Sequence, residues 1–265
     1  MLKVDFHVHS TASVHALNTI EELLRTADEN KIDAIAVTDH SPGIDNTLWL
    51  VQNGTNQKSW AEQIKGPDLP YFMTMLFRYQ QPDKFRVKLL KGIECNILSE
   101  GDPTDIPAFI AHHFDVVIAS VHPLPSLFKI VDGEQVTERM ILAMNDPIDI
   151  IGHPNHSNYS PIIEPLVIAA SEKEIALELN NASLLLGKAD KGQVKKMLEL
   201  AIKHECRISV SSDAHMSNEL GGDSMTAQII EEVGFPKELI VNHSLESALA
   251  YIQERKEIRG KKNKP

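Results

Sequence analysis

The chain has 265 residues, 42% hydrophobic and 24% charged, an ordinary globular composition that suits one large domain or two small ones. Its formal net charge of −11 argues against broad binding along a nucleic-acid backbone, and no apolar run approaches the roughly 18 residues needed to cross a bilayer. Two cysteines, Cys95 and Cys206, are too few for a disulfide framework, so a reducing cytoplasm is the expected compartment.

Lys3–His9 reads as a strand, entered from Met1 without a signal-peptide pattern, and His7 and His9 end it on one face at i, i+2. His15 follows on the loop to a helix at about Thr19–Asn30, where Thr19 and Glu22 have capping-box spacing. A second strand, Ala34–Asp39, runs into His40. The long stretch Ser41–Arg86 comes next and carries Trp49, Trp60, Tyr71, Phe72, Phe77, Tyr79 and Phe85, half of the 14 aromatics. A connection of this length is usually functional or carries its own small helices. It is expected to wall the substrate site; the competing reading packs a Tyr71–Tyr79 helix onto the core.

Further strands read at Val87–Ile93, Val116–Val121, Ile148–Gly152, Ile175–Leu179 and Arg207–Val210. Glu94, His122 and His153 close the first three, and Asp213 and His215 follow the last. Helices read at about Glu134–Asn145, Ile162–Ser171, Asp190–His204, Ser224–Val233 and Ser244–Arg255. A single domain over 1–254 is expected. The end, Arg255–Pro265, holds six of the 26 basic residues and one of the 37 acidic ones, and reads as a flexible, solvated tail.

Alternating strands and helices predict a parallel sheet covered by helices, and periodicity alone leaves an open sheet or a closed barrel. In such folds the carboxyl ends of the strands form one rim, where sites are built. His7, His9, His15, His40, Glu94, His122, His153, Asp213 and His215 all fall there. One histidine at a strand end is usually structural; seven on one rim are hard to produce by accident. Mixed imidazole and carboxylate suits zinc, manganese or iron, because magnesium and calcium prefer all-oxygen shells. Nine ligands exceed the needs of one or two tetrahedral sites, and three metals with a bridging carboxylate would use them economically.

His112, His113, His204 and His243 read as surface or packing residues, and His156 as a candidate substrate contact. Asp5, Asp39 and Asn180 could orient imidazoles or simply close strand ends. Cys95 follows Glu94 and points to the opposite strand face, as a buried thiol. Gly187–Gly192 has P-loop spacing but lacks the Lys-Ser/Thr that must follow, and no Gly-x-Ser-x-Gly occurs. Without a nucleophilic side chain in view, metal-activated water is the expected nucleophile, with Glu94, Asp213 and His215 the candidates for a direct part in catalysis.

The runs Asp5-Phe6-His7-Val8-His9-Ser10, Thr38-Asp39-His40, Gly92-Ile93-Glu94, Ser120-Val121-His122-Pro123, Gly152-His153-Pro154 and Ser212-Asp213-Ala214-His215 resemble, in order, the motifs of the PHP (polymerase and histidinol phosphatase) family. His15 and Leu177-Glu178-Leu179-Asn180-Asn181-Ala182-Ser183 look like its small stand-alone phosphatases of the YcdX type, although 41–86 is longer than that type has. The resemblance implies a distorted (β/α)7 barrel, TIM-like, with three divalent metals at the C-terminal ends of the strands: zinc first, manganese or iron as alternatives. It assigns His7, His9, Glu94 and Asp213 to one metal. Glu94, His122 and His153 would hold a second, and His15, His40 and His215 a third. The implied activity is hydrolysis of a small phosphate monoester by a metal-bridging hydroxide. A DNA 3'–5' exonuclease is weakened by the acidic body. An amidohydrolase would place a lysine in mid-barrel, and a non-catalytic metal-binding accessory module would not need an intact ligand set.

Overall fold

Seven strands pair in parallel in the order in which they occur: β1 Val4–Val8, β2 Ala34–Val37, β3 Lys88–Asn96, β4 Val116–Ser120, β5 Ile150–Gly152, β6 Ala176–Asn180 and β7 Ile208–Ser211. This computed structural model describes residues 1–13, 15–41, 69–78, 85–123, 128–129 and 132–262. Just beyond β7, Ala214 bridges Val8 in parallel and its carbonyl accepts the His9 N–H at 2.9 Å. The first strand thus meets the end of the last, and the sheet curls into a nearly closed, distorted (β/α)7 barrel.

The helices are α1 Ile20–Glu29, α2 Leu69–Arg78, α3 Ala108–Ala111, α4 Gly133–Ala143, α5 Ile163–Glu172, α6 Asn181–Leu185, α7 Lys191–Lys203, α8 Ser224–Val233 and α9 Leu245–Lys262. The expected capping box forms at α1: the Thr19 hydroxyl accepts the Glu22 N–H at 3.2 Å, and Glu22 accepts the Thr19 N–H at 2.7 Å. The third strand runs to Asn96, so Glu94 sits within it rather than closing it.

Strand alternation divides the core into two layers. Ile93, Cys95, Val117, Ala119, Ile151, Leu177, Leu179, Ile208 and Val210 pack outward with helix residues such as Leu166, Met197 and Leu198. Cys95 is buried there, on the face opposite Glu94. The alternate positions Val4, Phe6, Ala34, Ala36, Leu90, Val116, Ile118, Ile150 and Ala176 form one cluster contributed by six strands, which only the barrel interior can collect. Ala248, Tyr251 and Ile252 of α9 close that cluster at the amino ends of the strands.

The carboxyl ends of the same interior rows are polar. Val4 pairs with Ala34 and Asp5 with Ile35, but Val8 then pairs with Val37, so β1 carries one more residue than its partner. That bulge changes the phase of β1. Phe6 joins the apolar interior while His7 and His9 turn inward above it.

The expected flexible tail does not begin at Arg255. Helix α9 continues to Lys262, and the side chains of Arg255 and Arg259 are fully buried. Their guanidinium groups contact the Asp149 carboxylate at 3.4 Å and 2.8 Å and donate to the carbonyls of Ile148 (2.9 Å) and Phe114 (2.8 Å). Asp149 is buried too, and burial pushes its carboxyl pKa up against the pull of Arg259 and Arg255. A basic run at a chain end reads as solvated because its buried acid lies about a hundred residues away. Asp149→Ala leaves two buried cations without their partner, and the expected cost is about 3–5 kcal/mol of unfolding free energy in urea titration. A loss below about 1 kcal/mol would return this end of the helix to a decorative role.

Candidate metal centre

All nine side chains singled out in the sequence converge at the carboxyl ends of the strands. Glu94 lies at the middle and is fully buried. Its Oε1 is 3.4 Å from His7 Nε2, 3.5 Å from His122 Nε2 and 3.1 Å from His153 Nε2. Its Oε2 is 3.5 Å from His9 Nε2 and 2.7 Å from His40 Nδ1. Asp213 Oδ1 lies 3.6 Å from His7 Nε2 and 3.3 Å from His9 Nε2. At the mouth, His15 Nε2 is 2.8 Å from His215 Nε2 and 3.3 Å from His40 Nε2. His40 therefore stands between the central carboxylate and the outer imidazoles.

Two backbone features hold this geometry. His153 and Asp213 both have positive φ, 28° and 56°, a state uncommon for residues with a Cβ that costs on the order of 1–3 kcal/mol each, though Asp and His tolerate it better than most. His153 is kept there by its N–H, which donates to Glu178 Oε2 at 2.7 Å. Gly152 before it admits the close neighbouring strand, since a Cβ at that position would fall 2.1 Å from Ser120 Oγ.

The residues fit divalent metal ions. His7 Nε2 and His9 Nε2 are buried without a hydrogen-bond partner, a state that costs free energy unless something binds there, whereas His40 Nδ1 and Glu94 Oε2, 2.7 Å apart, face each other. Ligand atoms group within 4.8 Å of one another as His7, His9 and Glu94; as His40, Glu94 and His122; and as His9, His40 and His215. Burial, reinforced by neighbouring imidazoles, lowers the pKa of His9 to about 3 and of His15 to about 4, so both are unprotonated at neutral pH. Burial also dominates at His40 and holds it well below its ordinary value. For Glu94 burial favours the acid, but His7, His122 and His40 outweigh it and keep the carboxyl well below the usual range. Asp213 is kept low in the same way by His7, His9 and His215.

The groups behind the imidazoles were only partly legible. Glu178 Oε1 contacts His7 Nδ1 at 2.7 Å, Asn96 Oδ1 contacts His122 Nδ1 at 2.8 Å, and Tyr159 Oη contacts His153 Nδ1 at 2.9 Å. None of these three was expected. Glu178 had a usable signal: it is a charge inside the apolar run Ile175–Leu179, on the one strand with no assigned ligand. Of Asp5, Asp39 and Asn180, Asp5 accepts from Ser212, Gly221 and the His7 N–H and touches no imidazole ring. Asn180 donates to Asp213 Oδ2 and Glu178 Oε2, both at 3.1 Å. Asp39 reaches His9 only through Ser13.

His156 stacks on Tyr159, with ring centroids 5.2 Å apart, and lies 6.3 Å from the His153 ring. His112 and His113 are exposed side by side, and His243 Nδ1 bonds the Ile240 carbonyl at 2.8 Å. In the 41–86 connection, Phe72 and Met75 are buried in the outer core, Phe72 edge-on to Phe114, which favours the packing reading for this helix. Trp49, Trp60 and Tyr79 lie outside the described residues. No helix among the described residues is long and apolar enough to cross a membrane.

The PHP domain profile matches residues 5–182. A protein of Acetivibrio thermocellus described as a probable phosphatase is 32% identical over 255 residues, covering 96% of each chain. Another so described, from Caldanaerobacter subterraneus subsp. tengcongensis, is 32% identical over 266 residues, covering 99% of this chain and 96% of the relative. Among solved structures, the histidinol phosphate phosphatase of Lactococcus lactis subsp. lactis, complexed with zinc, L-histidinol and phosphate, matches 88% of this chain and 94% of its own. Its TM-score is 0.58 at 17% identity, a likeness of fold. With its profile match, its full-length relatives and the seven-stranded barrel, this chain belongs to the PHP domain family.

Proposed function

We propose that this protein is a metal-dependent phosphatase that hydrolyses a small phosphate monoester at a trinuclear centre. The observation that carries this reading is the set of imidazole nitrogens gathered around the buried Glu94 carboxylate, those of His7 and His9 without a hydrogen-bond partner. Full-length relatives described as probable phosphatases, and a similarly folded enzyme complexed with zinc, L-histidinol and phosphate, support it.

His7, His9, Glu94 and Asp213 would hold one metal; Glu94, His122 and His153 a second; and His15, His40 and His215 a third. Such ions supply an acidified water and positive charge for the phosphoryl oxygens. Glu94 fits a shared ligand because one oxygen faces His7, His122 and His153 while the other faces His9 and His40. Glu178 adds a buried negative charge behind His7, beyond those of Glu94 and Asp213. Three divalent ions still leave the centre net positive within an acidic chain, a receptor suited to a phosphate dianion.

The decisive experiment is a substrate-panel phosphatase screen on protein whose metal content has been measured. Carefully purified protein is expected to retain two to three divalent transition metals per chain by elemental analysis. At most one, with no uptake on incubation with zinc or manganese, would overturn the trinuclear reading. Metal-replete protein inactive on every monoester would overturn the phosphatase reading.

A further inference from the structure

The long connection between β2 and β3 includes α2, and α2 sets a tyrosine against the polar layer behind the candidate ligands. Asp39 Oδ1 accepts from the Ser10 N–H (2.8 Å) and the Ser13 hydroxyl (2.6 Å). Its Oδ2 accepts from the Ser10 hydroxyl (2.7 Å) and the Tyr71 hydroxyl (2.5 Å). A hydroxyl carries one proton, and that of Ser13 goes to Asp39. At its other contacts the Ser13 oxygen must accept: from the His40 N–H at 3.1 Å and from His9 Nδ1–H at 2.9 Å. His9 is thereby fixed with its proton on Nδ1. Its Nε2 lone pair is left facing Glu94 and Asp213, without a hydrogen-bond partner.

From this wiring we infer that Tyr71 is a positioning residue for the metal centre, setting the orientation and proton placement of His9 through Asp39 and Ser13. The inference rests on reading the site as a metal centre, and it gives the long connection a task there. Phe72 and Met75 anchor α2 in the core, so the phenol hydroxyl meets Asp39 from a fixed support. Without that hydroxyl, Asp39 keeps three of its four hydrogen bonds, Oδ2 keeps only the Ser10 bond, and the carboxylate that orients Ser13 is held less rigidly. A group behind a metal-binding imidazole acts by holding the ring and raising its basicity, and its loss typically weakens metal binding.

The test is zinc affinity, read by competition with a chromophoric chelator on the full chain. Wild type, Tyr71→Phe, Ser13→Ala and the double variant are compared. Tyr71→Phe is expected to weaken zinc binding about tenfold and Ser13→Ala at least as much. The double variant should bind no more weakly than Ser13→Ala, because Tyr71 has no route to His9 once the Ser13 oxygen is gone. Unchanged affinity in Tyr71→Phe overturns the inference, and so do losses that simply add, which a merely structural role would give. A wild-type protein that takes up no zinc overturns the metal reading itself and this inference with it, so the two failures are separable.

Discussion

Replacing Glu94 by Gln is expected to lower kcat/KM by about a thousandfold or more, the largest effect of any single substitution at this centre. The amide preserves the volume of a fully buried side chain, so a lost activity cannot be traced to a cavity. The substitution removes a negative charge that His7, His122 and His40 hold ionised against burial. It also turns one of two acceptor oxygens into a donor. The new NH₂ would then face either the lone pairs of His7, His122 and His153, or the His9 lone pair and the His40 Nδ1, whose proton Glu94 Oε2 accepts when His40 ligates through Nε2. Whichever set it meets, it fills positions proposed for a metal. His15→Ala provides the contrast, since His15 lies at the mouth of the site, with its Nε2 against those of His215 and His40. That variant should keep partial activity that recovers with added metal. Near-normal kcat in Glu94→Gln would remove the shared-carboxylate assignment and leave the outer imidazoles to be reconsidered.

The rim was legible because most strands announce their own ends. His40, His122, His153 and Asp213 follow apolar runs, and parallel β/α folds send such positions to one side. The parallel sheet was legible too, from the alternation of apolar strands with helices. Closure of the barrel was not, because it depends on Ala214 meeting Val8, a contact between the two ends of the sheet. The β1 bulge was hidden as well; without it Phe6 and His7 cannot both face inward, and i, i+2 spacing alone does not disclose it. Two partners of the imidazoles were missed because they come from elsewhere in the chain, Glu178 lying 171 residues from His7 and Asn96 26 from His122, whereas Tyr159 is only six residues from His153 in a loop whose turn the sequence does not disclose. Arg255 and Arg259 were misread on the same ground, since a charge is judged solvated until its buried partner is known.

Stripping the metals should destabilise the protein, and more at pH 8 than at pH 6. In the metal-free fold burial lowers the His7 pKa, but Glu178, Asp213 and Glu94 outweigh burial and hold it well above the ordinary value. His153 is raised too, burial being overcome by its contact with Glu94 and by Glu178. A raised histidine pKa stabilises the metal-free fold fully below the unfolded value near 6.5, and that contribution is lost as pH rises through the folded value. Metal binding runs the other way, because a ligating nitrogen must give up its proton. His7 and His153 therefore release protons when metal binds near neutrality, and apparent affinity falls about tenfold per proton for each unit of acidification. His9, at about 3, and His15, at about 4, are already unprotonated and add nothing to the slope in this range. Free zinc at a thousand times its dissociation constant stabilises by about 4 kcal/mol per site. Urea titrations with zinc or with chelator at pH 6, 7 and 8 measure the gap, and calorimetric titration in buffers of differing ionisation enthalpy counts the protons. A gap that is constant or shrinks with rising pH, with no proton released on binding, would show that His7 and His153 do not ligate metal.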